Sequence, residues 1–251
     1  MIMNVEVKRD GLTLRGTYVP VNRDRFDLAI LMHGFTSDRG TTSDAMLYQI
    51  ADQLKQNNVA SLRFDFNGHG QSDGKFVNMT VLNEIADGKA ILDYARSIKG
   101  VRRICLLGHS QGGVVASMLA GYYHDVIDKL VLMAPAATLK DDALAGHTRG
   151  LVYDPEHIPD QQTMSDGKVL GGFYLRTAQK LPIYDVARQY QGPVCLIHGT
   201  ADQIVNEIAS RRYDEVYQHD EFHLLANADH SFTVGDSRKE AVKLAVEFLK
   251  A

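Results

Sequence analysis

Short runs of consecutive apolar residues recur along this chain, and between them apolar positions repeat at helical spacing. Asp27–Met32, Ala60–Phe64, Val101–Leu107, Leu130–Met133, Val194–Ile197 and Phe222–Leu225 are rich in Ile, Leu and Val. Continuous apolar runs, as opposed to alternating ones, suit strands covered on both faces of a parallel sheet. Nearer the start, Val5–Lys8 and Leu12–Val19 predict a hairpin closed by the two-residue turn Asp10-Gly11. Leu47, Ile50, Ala51 and Leu54 share one helical face. Val242, Ala245, Val246 and Leu249 share another, preceded by Ser237-x-x-Glu240 at capping-box spacing. The alternation predicts an α/β architecture: a mostly parallel sheet with helices on both faces and an antiparallel start.

One stretch breaks the rhythm. From Pro135 to about Gln191 the chain shows turns (Asp154-Pro155, Ile158-Pro159-Asp160, Gly171-Gly172) and scattered aromatics but no strand–helix alternation. A structureless loop of that length is improbable inside a compact domain. Residues 135–191 are therefore expected to form an inserted cap over a core of 1–134 and 192–251. With 251 residues the chain can bury one large core without splitting into two domains.

The segment Ile104–Gly113 carries the strongest chemical signal. An apolar strand runs into Gly108-His109-Ser110-Gln111-Gly112, followed by the small-residue helix Val114–Ala120. A serine on a sharp strand-to-helix turn projects its hydroxyl above the sheet edge, and a side chain at either flanking glycine would clash where the turn folds back. Ser110 is the expected nucleophile.

In this strand–turn–helix arrangement the partners of the serine follow it in the order acid, then histidine. Asp202 lies in the loop after the strand Val194–Ile197, at the carboxyl end of a strand, where parallel sheets place functional residues. Asp214, Asp220 and Asp229 fall in a helical pattern, before a strand and beside the candidate histidine. Of the histidines after Asp202, His219 lies in a polar stretch and His223 within a strand. His230, on the loop after the last strand, is the expected general base, with Asp229 a local hydrogen-bonding neighbour. Oxyanion donors are expected from the backbone N–H of Gln111 and, on the loop His33-Gly34-Phe35-Thr36, that of Phe35. His33, His69 and His109 read as structural. Gly68–Gly74 lacks the Gly-Lys-Ser/Thr ending of a phosphate loop.

The bulk numbers change this picture little. A 45% apolar and 23% charged composition is that of an ordinary globular protein. A net charge of −4 argues against nucleic acid or an anionic membrane as partner. The start Met1–Glu6 shows no signal-peptide pattern, and no apolar run approaches the ~18 residues of a membrane span, so a cytoplasmic location is expected. Cys105 and Cys195, if on strands separated by one other, lie about 9.6 Å apart, beyond disulfide reach.

The segments HGF, FDFNGHGQSDG, GHSQGG, LMAPAATLK, GGFY, LPIY, HGTAD and ADHSF resemble the bacterial cinnamoyl (feruloyl) esterases. The resemblance runs over nearly the whole chain. It implies the α/β-hydrolase fold with an eight-stranded sheet, a triad of Ser110, Asp202 and His230, and Phe35 and Gln111 as oxyanion donors. It also implies that Asp142 and Tyr174 contact the phenolic ring of a small aromatic ester, with no metal or organic cofactor. A general short-chain carboxylesterase, a monoacylglycerol lipase or an acyl thioesterase would use the same triad. Against a lipid enzyme, Asp141, Asp142, Tyr153, His157 and Tyr174 predict a polar, aromatic lining. Ring-substituent preference is not legible around Arg149 or in 161–169, and a homodimer is left open.

Overall fold

The computed structural model describes residues 2–251. The hairpin β1 (Met3–Arg9) and β2 (Leu12–Val19) turns at Asp10-Gly11, where both residues take positive φ (48° and 80°), as a primed two-residue turn requires. There follow β3 (Phe26–Met32), α1 (Met46–Gln56), β4 (Val59–Phe64), α2 (Val81–Ser97), β5 (Val101–His109), α3 (Gln111–Tyr122) and β6 (Lys129–Met133). An insert carries α4 (Leu139–Ala145), the two-stranded pair β7 (His147–Thr148) and β8 (Leu151–Val152), a second pair β9 (Gln161–Thr163) and β10 (Val169–Gly171), then α5 (Gly172–Ala178) and α6 (Ile183–Ala187). The chain closes with β11 (Val194–Gly199), α7 (Ile208–Asp214), β12 (Asp220–Leu225) and α8 (Ser237–Lys250).

Eight strands form one sheet in the order β1-β2-β4-β3-β5-β6-β11-β12. β1 and β2 pair antiparallel, as do β2 and β4, and every pairing from β4 to β12 is parallel. This is the α/β-hydrolase fold. The strand order reverses at β3, so the loops after β3 and β5 leave in divergent directions and open a crevice at the carboxyl edge.

The apolar runs lie between two helical layers. Leu28, Ile30 and Met32 of β3 join one core with Val114, Val115 and Met118 of α3. Ala29 and Leu31 face the other, with Leu47, Ile50 and Leu54 of α1 and Val242, Val246 and Leu249 of α8. Alternate side chains of one strand thus serve opposite cores, which is why these strands read as unbroken apolar runs. Cys105 and Cys195 are both free and buried, on strands separated by β6.

The start of α8 differs from the expected capping box. Asp236 takes the cap position, and its carbonyl accepts the Glu240 N–H at 3.0 Å, so the helix begins one residue earlier. Ser237 is thereby wound into the first turn, and its buried hydroxyl finds no partner among the described residues.

At the turn from β5 to α3 three backbone segments come into contact. A Cβ on Gly108 would lie 2.1 Å from the Gly112 carbonyl oxygen, and one on Gly112 would lie 2.4 Å from that of His33. Gly112→Ala should therefore lower Tm by roughly 2–12 °C, since overpacking typically costs about 1–3 kcal/mol and a chain of this size shifts about 2–4 °C per kcal/mol. Calorimetry of the variant checks this; an unchanged Tm would mean that the turn can open without cost.

Candidate active site

Ser110 sits at the head of α3 with φ 56° and ψ −125°, a conformation that L residues avoid. Strain of this kind costs about 1–3 kcal/mol and persists only where the surroundings over-determine it. Here they do. The Ser110 N–H donates to the Met133 carbonyl at 3.0 Å, and the Ser110 carbonyl accepts from Gly113 N–H at 2.9 Å and Ala136 N–H at 3.0 Å. Adjacent strands β5 and β6 and the start of the insert thus hold the turn.

The Ser110 Oγ lies 2.9 Å from His230 Nε2, and His230 Nδ1 lies 2.7 Å from Asp202 Oδ2. An ionised carboxylate only accepts, so Nδ1 carries the ring proton and Nε2 offers its lone pair to the serine hydroxyl. The Asp202 side chain is 1% exposed. Burial opposes its charge, but the close His198 ring and hydrogen bonds from His230 and the Val205 N–H outweigh it and hold the carboxyl well below the usual range. Its other oxygen accepts from the N–H groups of Ile204 and Val205 at 2.8 and 2.9 Å. The structure thus brings Ser110, His230 and Asp202 together from three separate loops.

The other acids and histidines are engaged elsewhere. Asp229 turns back to Thr233, accepting from its N–H and hydroxyl at 2.5 Å each. His223 pairs with Glu221 at 3.2 Å on β12. His33 donates from Nδ1 to the Gly34 carbonyl at 2.9 Å and accepts the Phe66 N–H at Nε2, bracing the loop after β3. His109 donates from Nε2 to the His230 carbonyl at 2.9 Å. Burial pushes His33 and His69 down to about 4 and His109 to about 3.

Among the described residues, no protein acceptor takes the backbone N–H of Phe35 or Gln111. Both residues line, with Ser110 and His230, a cavity of about 1120 Å³. From the insert, Asp142, His147, Thr148, Arg149 and Tyr174 complete it. Asp142 is half-buried, its carboxyl raised by that burial, with Oδ1 3.9 Å from His147 Nε2. The Tyr174 and Phe35 rings lie with centroids 5.5 Å apart. Of the five insert residues expected to line the site, only Asp142 and Tyr174 do so. Asp141 is drawn away to an ion pair with Arg212, Tyr153 to the Thr148 hydroxyl, and exposed His157 to Asp154.

Two buried side chains behind the site escaped the sequence reading. His198 is fully buried, donates from Nε2 to the Val205 carbonyl at 3.0 Å, and stands 3.3 Å from Asp202 Oδ2. Glu84 on α2 is 1% exposed and accepts from the Gln111 side-chain amide at 2.7 Å. Its signal was present in the pattern: Val81, Glu84, Asp87, Gly88, Ile91, Leu92 and Ala95 recur at helical spacing, so two carboxylates, Glu84 and Asp87, stand in an otherwise apolar stripe. Among the described residues, the donor cluster Cys195, Glu221 and His223 lies outside the cavity, and burial keeps the Cys195 thiol protonated.

A family model described as "Serine aminopeptidase, S33" matches residues 26–153. Est1E from Butyrivibrio proteoclasticus, in a structure with ferulic acid bound, superposes with a TM-score of 0.90 at 31% identity, covering 98% of this chain and 96% of that one. The α/β hydrolase GrgF from Penicillium sp. sh18 superposes with a TM-score of 0.80 at 19% identity, over 100% and 98% of the two chains. That likeness shows the fold alone. The uncharacterized protein YfhR of Salmonella typhi is 27% identical over 203 residues, 78% of this chain. The match spans 63% of the length of that relative.

The lowered values of the buried histidines make stability depend on pH. An unfolded histidine takes up its proton near pH 6.5, whereas His33 in the fold resists until about pH 4. Between those values the unfolded state binds more protons, so stability rises with pH across the window and is lost as pH falls through it. The loss is on the order of 3 kcal/mol at most for such a ring. Buried Glu84 acts in the opposite sense, its carboxyl being raised, so a difference measurement is needed. His33→Gln should show a shallower fall of Tm between pH 6.5 and 4 than the unaltered chain. Parallel curves would mean that His33 takes up its proton in the fold at the same pH as in the unfolded chain.

Proposed function

The chain belongs to the serine aminopeptidase S33 family of α/β-hydrolases, and we propose that it hydrolyses hydroxycinnamate esters through an acyl-enzyme on Ser110. The hydrogen-bonded series Asp202–His230–Ser110 opening into the cavity carries this reading. His230 takes the serine proton as Ser110 Oγ attacks the ester carbonyl. The developing oxyanion takes the unpaired N–H groups of Phe35 and Gln111. The alcohol leaves with the proton from His230, and water repeats the sequence to release the acid. Asp202 holds the imidazole tautomer and stabilises its charged form. Each proton and electron pair comes from the ester, water, Ser110 or His230.

The choice of an aromatic acyl group rests on residues 135–191 acting as a cap. The Phe35 and Tyr174 rings flank the cavity. Asp142 offers a carboxyl to a phenolic hydroxyl. The likeness to Est1E, a protein seen with ferulic acid bound, supports the same choice. A general carboxylesterase for short-chain esters is the second reading. It is favoured by one observation: the Tyr174 hydroxyl already donates its proton to Gln111 at 2.7 Å, leaving only lone pairs for a ligand.

Ser110→Ala, His230→Ala and the double variant should each lose a similar, non-additive share of kcat on methyl ferulate and p-nitrophenyl acetate. The loss should be about 10²-fold or more, the usual worth of a positioned base; His230→Ala retaining a tenth of the activity would assign the base elsewhere. Asp142→Ala should raise KM for methyl ferulate and caffeate a few-fold to about tenfold, the worth of one hydrogen bond. It should leave p-nitrophenyl acetate nearly unaffected. Equal losses on both ester types would favour the general carboxylesterase, and faster turnover of leucine p-nitroanilide than of any ester would favour a peptidase.

A further inference from the structure

The side chain of Gln111, the residue whose backbone N–H faces the oxyanion, is 2% exposed and bridges two elements. Its Nε2 donates to Glu84 Oε2 of α2 at 2.7 Å and lies 3.6 Å from the Met79 thioether sulfur. Its Oε1 accepts the Tyr174 hydroxyl of α5 at 2.7 Å. A thioether accepts and never donates, so the NH₂ end of the amide belongs on the Met79–Glu84 side whatever the protonation of the carboxyl. With Nε2 so placed, Oε1 must face the insert, and Tyr174 must donate to it. The direction of each hydrogen bond is thus passed from α2 through the nucleophile turn to the insert. Glu84 and Tyr174 share no hydrogen bond with each other.

We propose that Glu84 is a positioning residue, orienting the Gln111 amide and through it coupling Tyr174 of the insert to the N–H donor that follows Ser110. The proposal rests on the esterase reading above. The Gln111 side chain and its backbone N–H leave the same Cα. Loss of the buried acceptor therefore lets the amide rotate, releases the Tyr174 hydroxyl and loosens the donor geometry in the same event. A buried polar array of this kind is worth more than its separate members only while all are satisfied. The arrangement also sets what Tyr174 offers a ligand: with its proton committed to Gln111, it accepts.

The experiment is a double-mutant cycle on the whole chain, with kcat and KM read separately on p-nitrophenyl acetate and methyl caffeate. Glu84→Met and Tyr174→Phe should each lower kcat on the acetate by on the order of tenfold. The double variant should be no worse than the poorer single, because both act through one amide. Glu84→Gln should recover most of the loss, since its carbonyl still accepts from Gln111. If Glu84→Met does not fold, Glu84→Asp, which withdraws the acceptor by one methylene, should reproduce the kcat loss. Losses that multiply in the double variant, or a Glu84→Gln as impaired as Glu84→Met, would overturn the coupling while leaving the esterase reading intact. An unaltered chain inert toward both esters overturns that reading and the coupling with it.

Discussion

A serine held at positive φ, where three backbone segments touch, is the constraint on which the rest of this structure depends. Ser110 keeps that conformation because its N–H and carbonyl are bonded to Met133 and Ala136, and because Gly108 and Gly112 let α3 close back onto β5 and the loop after β3. The same closeness brings Phe35 and Ser110 to one cavity. Strain at one residue is therefore offset by a whole sheet edge, and it aims one hydroxyl outward from an otherwise apolar strand.

Electrostatics around this turn keep one charge and silence the others. Asp202 is ionised although buried, because His198, His230 and two backbone N–H groups converge on it. His33, His69 and His109 are kept neutral by burial, so these three rings add no positive charge beside His230. Each ring nevertheless bonds to backbone: His33 ties the loop after β3 to Phe66, and His109 holds the carbonyl of His230 itself. The histidines expected to be structural thus set the position of the two loops that meet Ser110.

The segment between β6 and β11 is packed onto the sheet's helical layer at the cavity. Its elements are short, with α6 packed on α3, and α5 on α2 and α4. It shares the main apolar core through Leu170, Tyr174, Leu175 and Ile183. An aromatic ring from it stands beside Phe35, and a half-buried carboxyl, that of Asp142, lines the same cavity. Tyr174 is both a wall of the cavity and a donor to Gln111, so one side chain of this segment touches the cavity and the residue after Ser110.

Much of this was legible in the chain itself. Parallel strands buried on both faces leave continuous apolar runs, so β3, β4, β5, β6 and β11 were marked to within a few residues. Ser110, Asp202 and His230 stood out because each follows a strand at its carboxyl end and their order along the chain is set by the architecture. What escaped is non-local. Glu84, with Asp87, interrupts an apolar helical stripe, which marks both as unusual, but the partner of Glu84, Gln111, lies 27 positions away and only packing joins them. Asp141 and Asp142 are adjacent and alike in sequence, and the turn of α4 sends one to Arg212 and the other to the cavity. Periodicity and loop order are properties of neighbours along the chain and can be read from it. Which polar group meets which across the core depends on the three-dimensional closure of helices, and that only the tertiary structure decides.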